Sequence, residues 1–411
     1  MFDWANSSFA LVITVAIFPA YFMAVTHEEI QLAGIQLSNS ALYAYAISFS
    51  YLMIAGFSPL LSGIADYGGK RKFFLKSFTI MGSMACISLF FFTGMENLWL
   101  GTTAFIIAMI GFAGGLVFYN SYLHDIVTQD RYDKTSAKGF AFGFTGSVIL
   151  LILNLTVIFF HESLGIANQQ LATRFAFVSV GIWWLGFALI PFKYLPNDLE
   201  IPYTKDIFKK GSQELRKVWK ELHPREDIKR YLIAFFFYSA GVQTVLFLAA
   251  TFAEKELKFT TEALLTVILL LQIIAIFGGF GFAFLSSKIG NIKTILWMML
   301  IWIIICLSAF FVQSQTPFYW IASLVGLMMG GIQSLSRSTY AKLIPKDTTD
   351  TTSYFSFYDV LEKIAIVLGT FAFGFIDQIT GNMRISVLFL TIFFILGILF
   401  LTQVRRKNPS I

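Results

Sequence analysis

Near the end of the chain stands "YFSFYDVLEKIAIVLG", in which Asp359, Glu362 and Lys363 interrupt an otherwise apolar run within about a turn and a half of helix. Asp359 and Lys363 are four apart, so on a helix they share a face and can pair, with Glu362 one step round. The preceding apolar run, ending "GGIQSLSRSTY", brings Arg337 to a similar depth, where it is expected to meet Glu362. A buried charge without a partner costs several kcal/mol, so two acids and two cations here read as a network. Carboxylates whose pairing changes can take up and release protons. A site offering both a cation and a carboxylate also suits a zwitterion. A structural cluster that locks the two runs together is the alternative.

Uncharged polar residues form a second set. The chain opens "MFDWANSSFALVITVAIFPAYF", placing Asp3, Asn6 and Ser7 at the head of a run that is apolar to Phe22. Tyr119 and Asn120 end "GGLVFYN", Gln243 and Thr244 stand inside "SAGVQTVLFLA", and Gln333, Ser334 and Ser336 precede Arg337. A polar group left unpaired in hydrocarbon costs several kcal/mol, so each needs protein or water beside it. Singly they read as helix–helix hydrogen bonds, each worth under about 2 kcal/mol. As a set they read as the lining of a shared cavity, with Asp3 a further candidate for ion coupling.

The elements that must position these residues follow from composition. Of 411 residues 57% are hydrophobic and only 13% charged, and 47 are Phe. One soluble core of this length would lack the polar residues to coat it. With about 20 apolar residues needed per crossing, twelve spans are predicted: 5–25, 40–63, 73–94, 98–121, 139–160, 173–193, 230–252, 262–285, 293–312, 318–341, 354–377 and 385–404. Of the 30 Lys and Arg, 24 fall in or within a turn of the connections after spans 2, 4, 6, 8 and 10 or in the tail, and four (Arg174, Lys255, Lys258, Arg384) fall opposite. The positive-inside rule puts both termini in the cytoplasm, of the cell (inner) membrane. The net charge of +6 is thereby an orientation signal rather than a nucleic-acid footprint.

The chain divides into a six-helix bundle at 1–193, a cytoplasmic linker at 194–229 and a second bundle at 230–411. Within the linker "TKDIFKKGSQELRKVWKEL" is amphipathic, with Ile207, Phe208, Leu215, Val218, Trp219 and Leu222 against Lys and Arg. It reads either as a helix on the membrane surface or as a solvated basic linker. The two bundles repeat one another in order: spans 4 and 10 both carry GG before their polar ends, and Asn6-Ser7 answers Gln243-Thr244. The fold class is therefore an all-α integral membrane protein of twelve transmembrane helices in two pseudo-symmetric six-helix halves.

Other chemistry is not signalled. Cys86 and Cys306 are lone thiols in equivalent spans, read as small hydrophobes. His27, His124, His161 and His223 have no metal spacing, so no metal or cofactor is expected. "GFAGG", "GGFGF" and "GLMMGG" lack the strand–turn–helix setting of a nucleotide loop and read as close helix packing. A nucleophile–base pair is missing too, so an enzyme is not expected.

The layout resembles the major facilitator superfamily, and "SGIADYGGKRK" after span 2 resembles its signature, with Asp66, Gly69, Lys70 and Arg71 in place. Ser62 stands where Gly is usual and Tyr67 where Arg is usual. Within the superfamily "FDWANSSF", "ADYGGKRK" and "GGIQSLSRSTYAKLIP…SFYDVLEK" resemble the branch named after the fungal vacuolar amino-acid effluxer. The resemblance spans essentially the whole chain and implies an alternating-access transporter with a cytoplasmic gate at Asp66. Members commonly carry an acid in span 7 where this chain has Ala240, which leaves that acid's coupling role open here. Physically, a carboxylate at Asp66 can cap the N-terminal end of a helix from the other half. Lys70, Arg71 and Lys72 read mainly as topology determinants.

The expected function is secondary active transport of a small polar solute, bound near the midplane between spans 1, 4, 7 and 10. The resemblance suggests amino acids, and the acids of span 11 favour protons as the coupling ion. An exporter of amphipathic or lipid-like molecules and a non-transporting sensor or scaffold are the rivals. If Asn6 matches Gln243, span 1 has eight fewer residues ahead of its polar pair, about 12 Å of helix. A start upstream of Met1 is the expectation drawn from that deficit.

Overall fold

A computed structural model describes residues 1–32, 35–199 and 206–404. Linker residues 200–205 and the basic tail from Arg405 lie outside the described residues. Each predicted span is a helix: Phe2–Val25, Asn39–Gly68, Arg71–Phe91, Met95–Ile126, Gln129–Phe159, Gln169–Tyr194, Glu226–Leu257, Thr261–Ile289, Asn291–Phe311, Gln315–Leu343, Thr351–Thr380 and Met383–Thr402, taken in order as spans 1 to 12. Among the described residues eleven of these helices are long and apolar enough to cross a membrane. The other, span 11, has 30 residues and carries Asp359, Glu362 and Lys363. Several helices outrun the predicted bounds because polar ends continue the hydrogen-bonded spiral beyond the apolar run. Span 7, with 32 residues, is about 48 Å long against a hydrocarbon core of about 30 Å.

Breaks between helices have local causes. Gly69 follows span 2 at φ 61° and Gly381 follows span 11 at φ 62°, both in the left-handed region that glycine enters without strain. Asn168, Thr260 and Asn382 accept backbone N–H bonds at the starts of spans 6, 8 and 12. Two short antiparallel strands, Glu29–Leu32 and Ile35–Ser38, join spans 1 and 2, with Glu29 opposite Ser38. Span 1 is not uniform: Phe9–Ile17 is π-helical between α-helical ends.

Two compact units divide the chain, and the division does not follow chain order. The first holds Met1–Ser58, Gly69–Tyr119 and Phe142–Glu200. Span 6 packs there against spans 1 and 3, with Phe18 stacked on Phe105 at 4.7 Å. Gly82 and Gly111 let the backbones of spans 3 and 4 meet where any side chain would collide. The second unit holds Pro59–Gly68, Asn120–Ala141 and Ile201–Ile411. Its core centres on Trp302, Tyr231, Tyr238, Tyr340 and Phe394. Gly278, Gly326 and Gly330 lie against backbone carbonyls across spans 8 and 10, so two of the three glycine clusters are packing devices in this unit.

Candidate functional site

In the first unit the opening residues are buried in spite of their polarity. Asp3 is 4% exposed and Asn6 2%. Tyr119 donates its hydroxyl to the Asp3 carboxylate, and the Phe2 ring lies 4.6 Å from that of Tyr119. Asp3 also sits in the first helical turn, where a negative charge meets unpaired N–H groups favourably. Trp4 stacks on Trp183 at 5.6 Å, and its carbonyl accepts the Trp183 indole N–H at 3.0 Å. Gly143 leaves room for the Ser7 hydroxyl.

The second unit holds the span 11 charges. Lys363 Nζ lies 3.0 Å from Asp359 Oδ1 and 2.8 Å from Glu362 Oε2. Gln243 in span 7 donates to Glu362 Oε1 at 3.3 Å. The partner of Glu362 is thus Lys363 rather than Arg337, because one ammonium reaches acids one and four residues away. Arg337 instead donates to Ser136 Oγ at 3.0 Å, Ser136 O at 3.1 Å and Asn120 Oδ1 at 3.3 Å, with its guanidinium 4.5 Å from the centre of the Phe140 ring. A planar fork suits that mix of hydroxyl, carbonyl, amide and ring face. Ser136 and Phe140 carry no marker in the sequence beyond their place at the start of span 5.

The remaining cavity candidates divide. Gln333 is half-buried. Thr244 is fully buried, its hydroxyl unbonded among the described residues, packed against Gly369 of span 11 and bordering an apolar space of about 50 Å³ with Leu248, Phe252 and Phe318. Ser334 bonds its own helix, and its carbonyl accepts from Ser136. Ser336 shares a 2.7 Å hydrogen bond with Tyr238. Cys86 and Cys306 are buried and free. Among the described residues no cluster of His, Cys, Asp or Glu is placed to hold a metal ion.

At the ends rich in Lys and Arg the contacts are denser than the motif alone indicates. Asp66, at the end of span 2, accepts the backbone N–H of Thr352 at 3.3 Å and of Ser353 at 2.6 Å, in the first turn of span 11. Two orphan helix donors thereby meet one carboxylate. Within the same unit Asp133 of span 5 is 2.6 Å from Lys342 of span 10, and Asn291 of span 9 bonds both at 2.8 Å and 3.1 Å. In sequence Lys342 registered only as an orientation charge. Lys72, read as a topology determinant, is buried: its ammonium bonds Leu195 O and Asn197 Oδ1, while Asp198 caps the start of span 3 through the N–H groups of Lys72 and Phe73. Lys70 donates to Leu199 O at 2.9 Å, and the Leu199 side chain lies against Gly69, where a side chain would collide with it.

The amphipathic linker segment is a helix, Ile207–Leu222, docked rather than solvated. Gly211 meets Gly63 and Ile64 of span 2, and Val218 and Leu222 are buried. Lys210 donates to the Tyr67 hydroxyl at 2.6 Å, and Tyr354 donates to Glu221 at 3.0 Å. Lys217 lies 2.7 Å from both Asp350 and Glu214, whose hydrogen bonds hold its ammonium above the usual lysine range.

This twelve-helix fold is the fold of solved major facilitator superfamily transporters. FucP in its outward conformation matches with a TM-score of 0.73 at 15% identity, over 99% of this chain and 97% of that one. The proton:xylose symporter XylE matches at 0.71 and 14%, over 98% and 93%. The protein is a multi-pass membrane transporter of this superfamily. Within it the chain belongs to the vacuole effluxer Atg22-like family, whose profile matches residues 1–409. The uncharacterized MFS-type transporter YxiO of Bacillus subtilis is 30% identical over all of this chain and 94% of its own length. Autophagy-related protein 22 of Vanderwaltozyma polyspora is 26% identical over 89% of this chain and 77% of its own.

Proposed function

We propose that the protein moves a small polar solute, with amino acids the leading class, across the cell membrane by alternating access coupled to protons. The observation that carries this reading is the acid–lysine–acid cluster of span 11, with Gln243 beside it in an apolar helix bundle. Its Lys363 and Glu362 offer opposite charges to a zwitterion. Arg337, Asn120, Gln333 and Gln243 serve on the substrate side in the second unit, as do Asn6, Ser7 and Tyr119 in the first, with Asp3 a further proton group. Thr244, turned toward apolar neighbours, contributes least. Asp66 is the gate: its cap on span 11 holds while that side is shut and breaks when it opens, with Gly69, Lys70 and Arg71 shaping the same turn. Termini in the cytoplasm and bundles at 1–193 and 230–411 complete the scheme. The family name, an effluxer, and the fold shared with proton symporters support it.

The test is thermal shift of purified protein against a metabolite library. A hit is then followed by flux in vesicles with and without a pH gradient. An amino acid that stabilises the protein and moves with the gradient is expected. Stabilisation by amphipathic compounds only, or flux indifferent to pH, overturns the reading, and no flux at all points to a sensor.

A further inference from the structure

We propose that the coupling proton binds at Oδ2 of Asp359, and that Glu362 is the fixed acid that a substrate ammonium meets when that proton leaves. The inference rests on the proton-coupled reading above and assigns its atoms. It begins with charge. The cluster holds two carboxylates, Asp359 and Glu362, and one ammonium, Lys363, so with all three ionised it carries a net negative charge. A net charge in an apolar bundle is costly, and one proton removes it.

Donor geometry then says which acid takes the proton. Both Glu362 oxygens have donors, Oε1 from Gln243 and Oε2 from Lys363. Asp359 Oδ1 has Lys363, but Asp359 Oδ2 is buried without a hydrogen-bond partner among the described residues. A charged oxygen with no protein donor is a costly state, and a neutral hydroxyl there costs less. Exposure agrees: the Glu362 side chain is 24% exposed and can remain hydrated, whereas that of Asp359 is 2% exposed.

Among the described residues the neighbouring elements of this unit place no further hydrogen-bond partner at that oxygen. Span 7 brings Tyr231 and Tyr238, which bond Ser336 and each other. Span 10 brings Tyr340, bonded to Tyr354 O, and Arg337, bonded to Ser136 and Asn120. The linker helix brings Glu221, bonded to Tyr354, and span 12 has no charged residue past Arg384. Tyr358, beside Asp359, is buried with its ring stacked on Phe235 at 3.9 Å.

A mechanism follows from the count. When Asp359 releases its proton to water, two carboxylates compete for one ammonium. Lys363 shifts toward Asp359, and Glu362 accepts a positive group from the solute. Re-protonation returns Lys363 to Glu362 and expels the solute cation. Proton and substrate ammonium therefore exclude one another, and by linkage each weakens the other's binding equally. The substrate class is a solute with a primary or secondary ammonium, exchanged against protons.

Infrared difference spectra of the full-length protein in lipid vesicles, between mildly alkaline and mildly acidic buffer, read the proton directly. A carboxylic-acid carbonyl band should appear on acidification, vanish in Asp359→Asn, appear only at lower pH in Glu362→Gln, where Asp359 and Lys363 alone carry no net charge, and move in frequency in Asp359→Glu. Should Asp359→Asn not fold, the frequency shift in Asp359→Glu carries the assignment. A band lost in Glu362→Gln and kept in Asp359→Asn, a band unmoved in Asp359→Glu, or no band in the parent protein overturns the proposal. Failure of the transport reading shows separately, as absent solute flux with the band intact.

Discussion

Lys342 and Asp133 show how a side chain can matter without sitting near a midplane site. Their ion pair is 2.6 Å long with side chains 5% and 13% exposed, and it joins spans 5 and 10 through Asn291. Removing one member leaves an uncompensated charge, so Lys342→Met should destabilise the protein by about 3 kcal/mol. Adding Asp133→Leu should recover most of that loss. Thermal denaturation in detergent checks both, and a double variant no more stable than the single one contradicts the pair's ionic role. The sequence made the Asp359–Lys363 pair legible, because four-residue spacing is a local property of a helix. It did not reveal Arg337 on Ser136 and Asn120, since those residues are some two hundred positions apart and only tertiary packing joins them.

At the scale of elements the linker helix is the informative case. Hydrophobic pattern suggested one apolar face, whereas the structure separates it. Val218 and Leu222 are buried beside Gly211, while Phe208 is 65% and Trp219 57% exposed. Glycine at 211 does not count as apolar in a pattern, yet it is what permits the helix to lie on Gly63. Gly63→Val would push into the Gly211 carbonyl, so it should undock the helix and speed proteolysis within the linker. An unchanged cleavage rate would show that the contact is dispensable. Because the same helix holds Asp350 and Tyr354 at the start of span 11, undocking should also loosen the turn that Asp66 caps.

For the whole molecule the number of helices was readable from apolar length, whereas their ends were not, because polar residues continue several helices past the apolar run. The grouping was less so: Pro59–Gly68 and Asn120–Ala141 belong with the later part of the chain, as contacts such as Asp66 to Ser353 and Asp133 to Lys342 explain. A reporter inserted near Asn168 should be external, and one fused after Lys407 cytoplasmic. Both on one side would end the twelve-crossing topology.

Span 1 holds nine residues, Phe9–Ile17, in the wider π spiral. An i→i+5 spiral packs more residues into each turn than the 3.6 of an α-helix, so rewinding these nine to α would rotate one end against the other by on the order of half a turn. The segment Phe2–Ser8, with Asp3, Asn6 and Ser7, would turn as a key does in a lock while the far end stayed in place. Such a turn would have to break the Asp3–Tyr119 hydrogen bond and the Trp4–Trp183 stack. Thiol labelling of Ser7→Cys in vesicles at alkaline and acidic pH should differ several-fold if the rewinding accompanies transport. Equal labelling would mark the wide spiral as static.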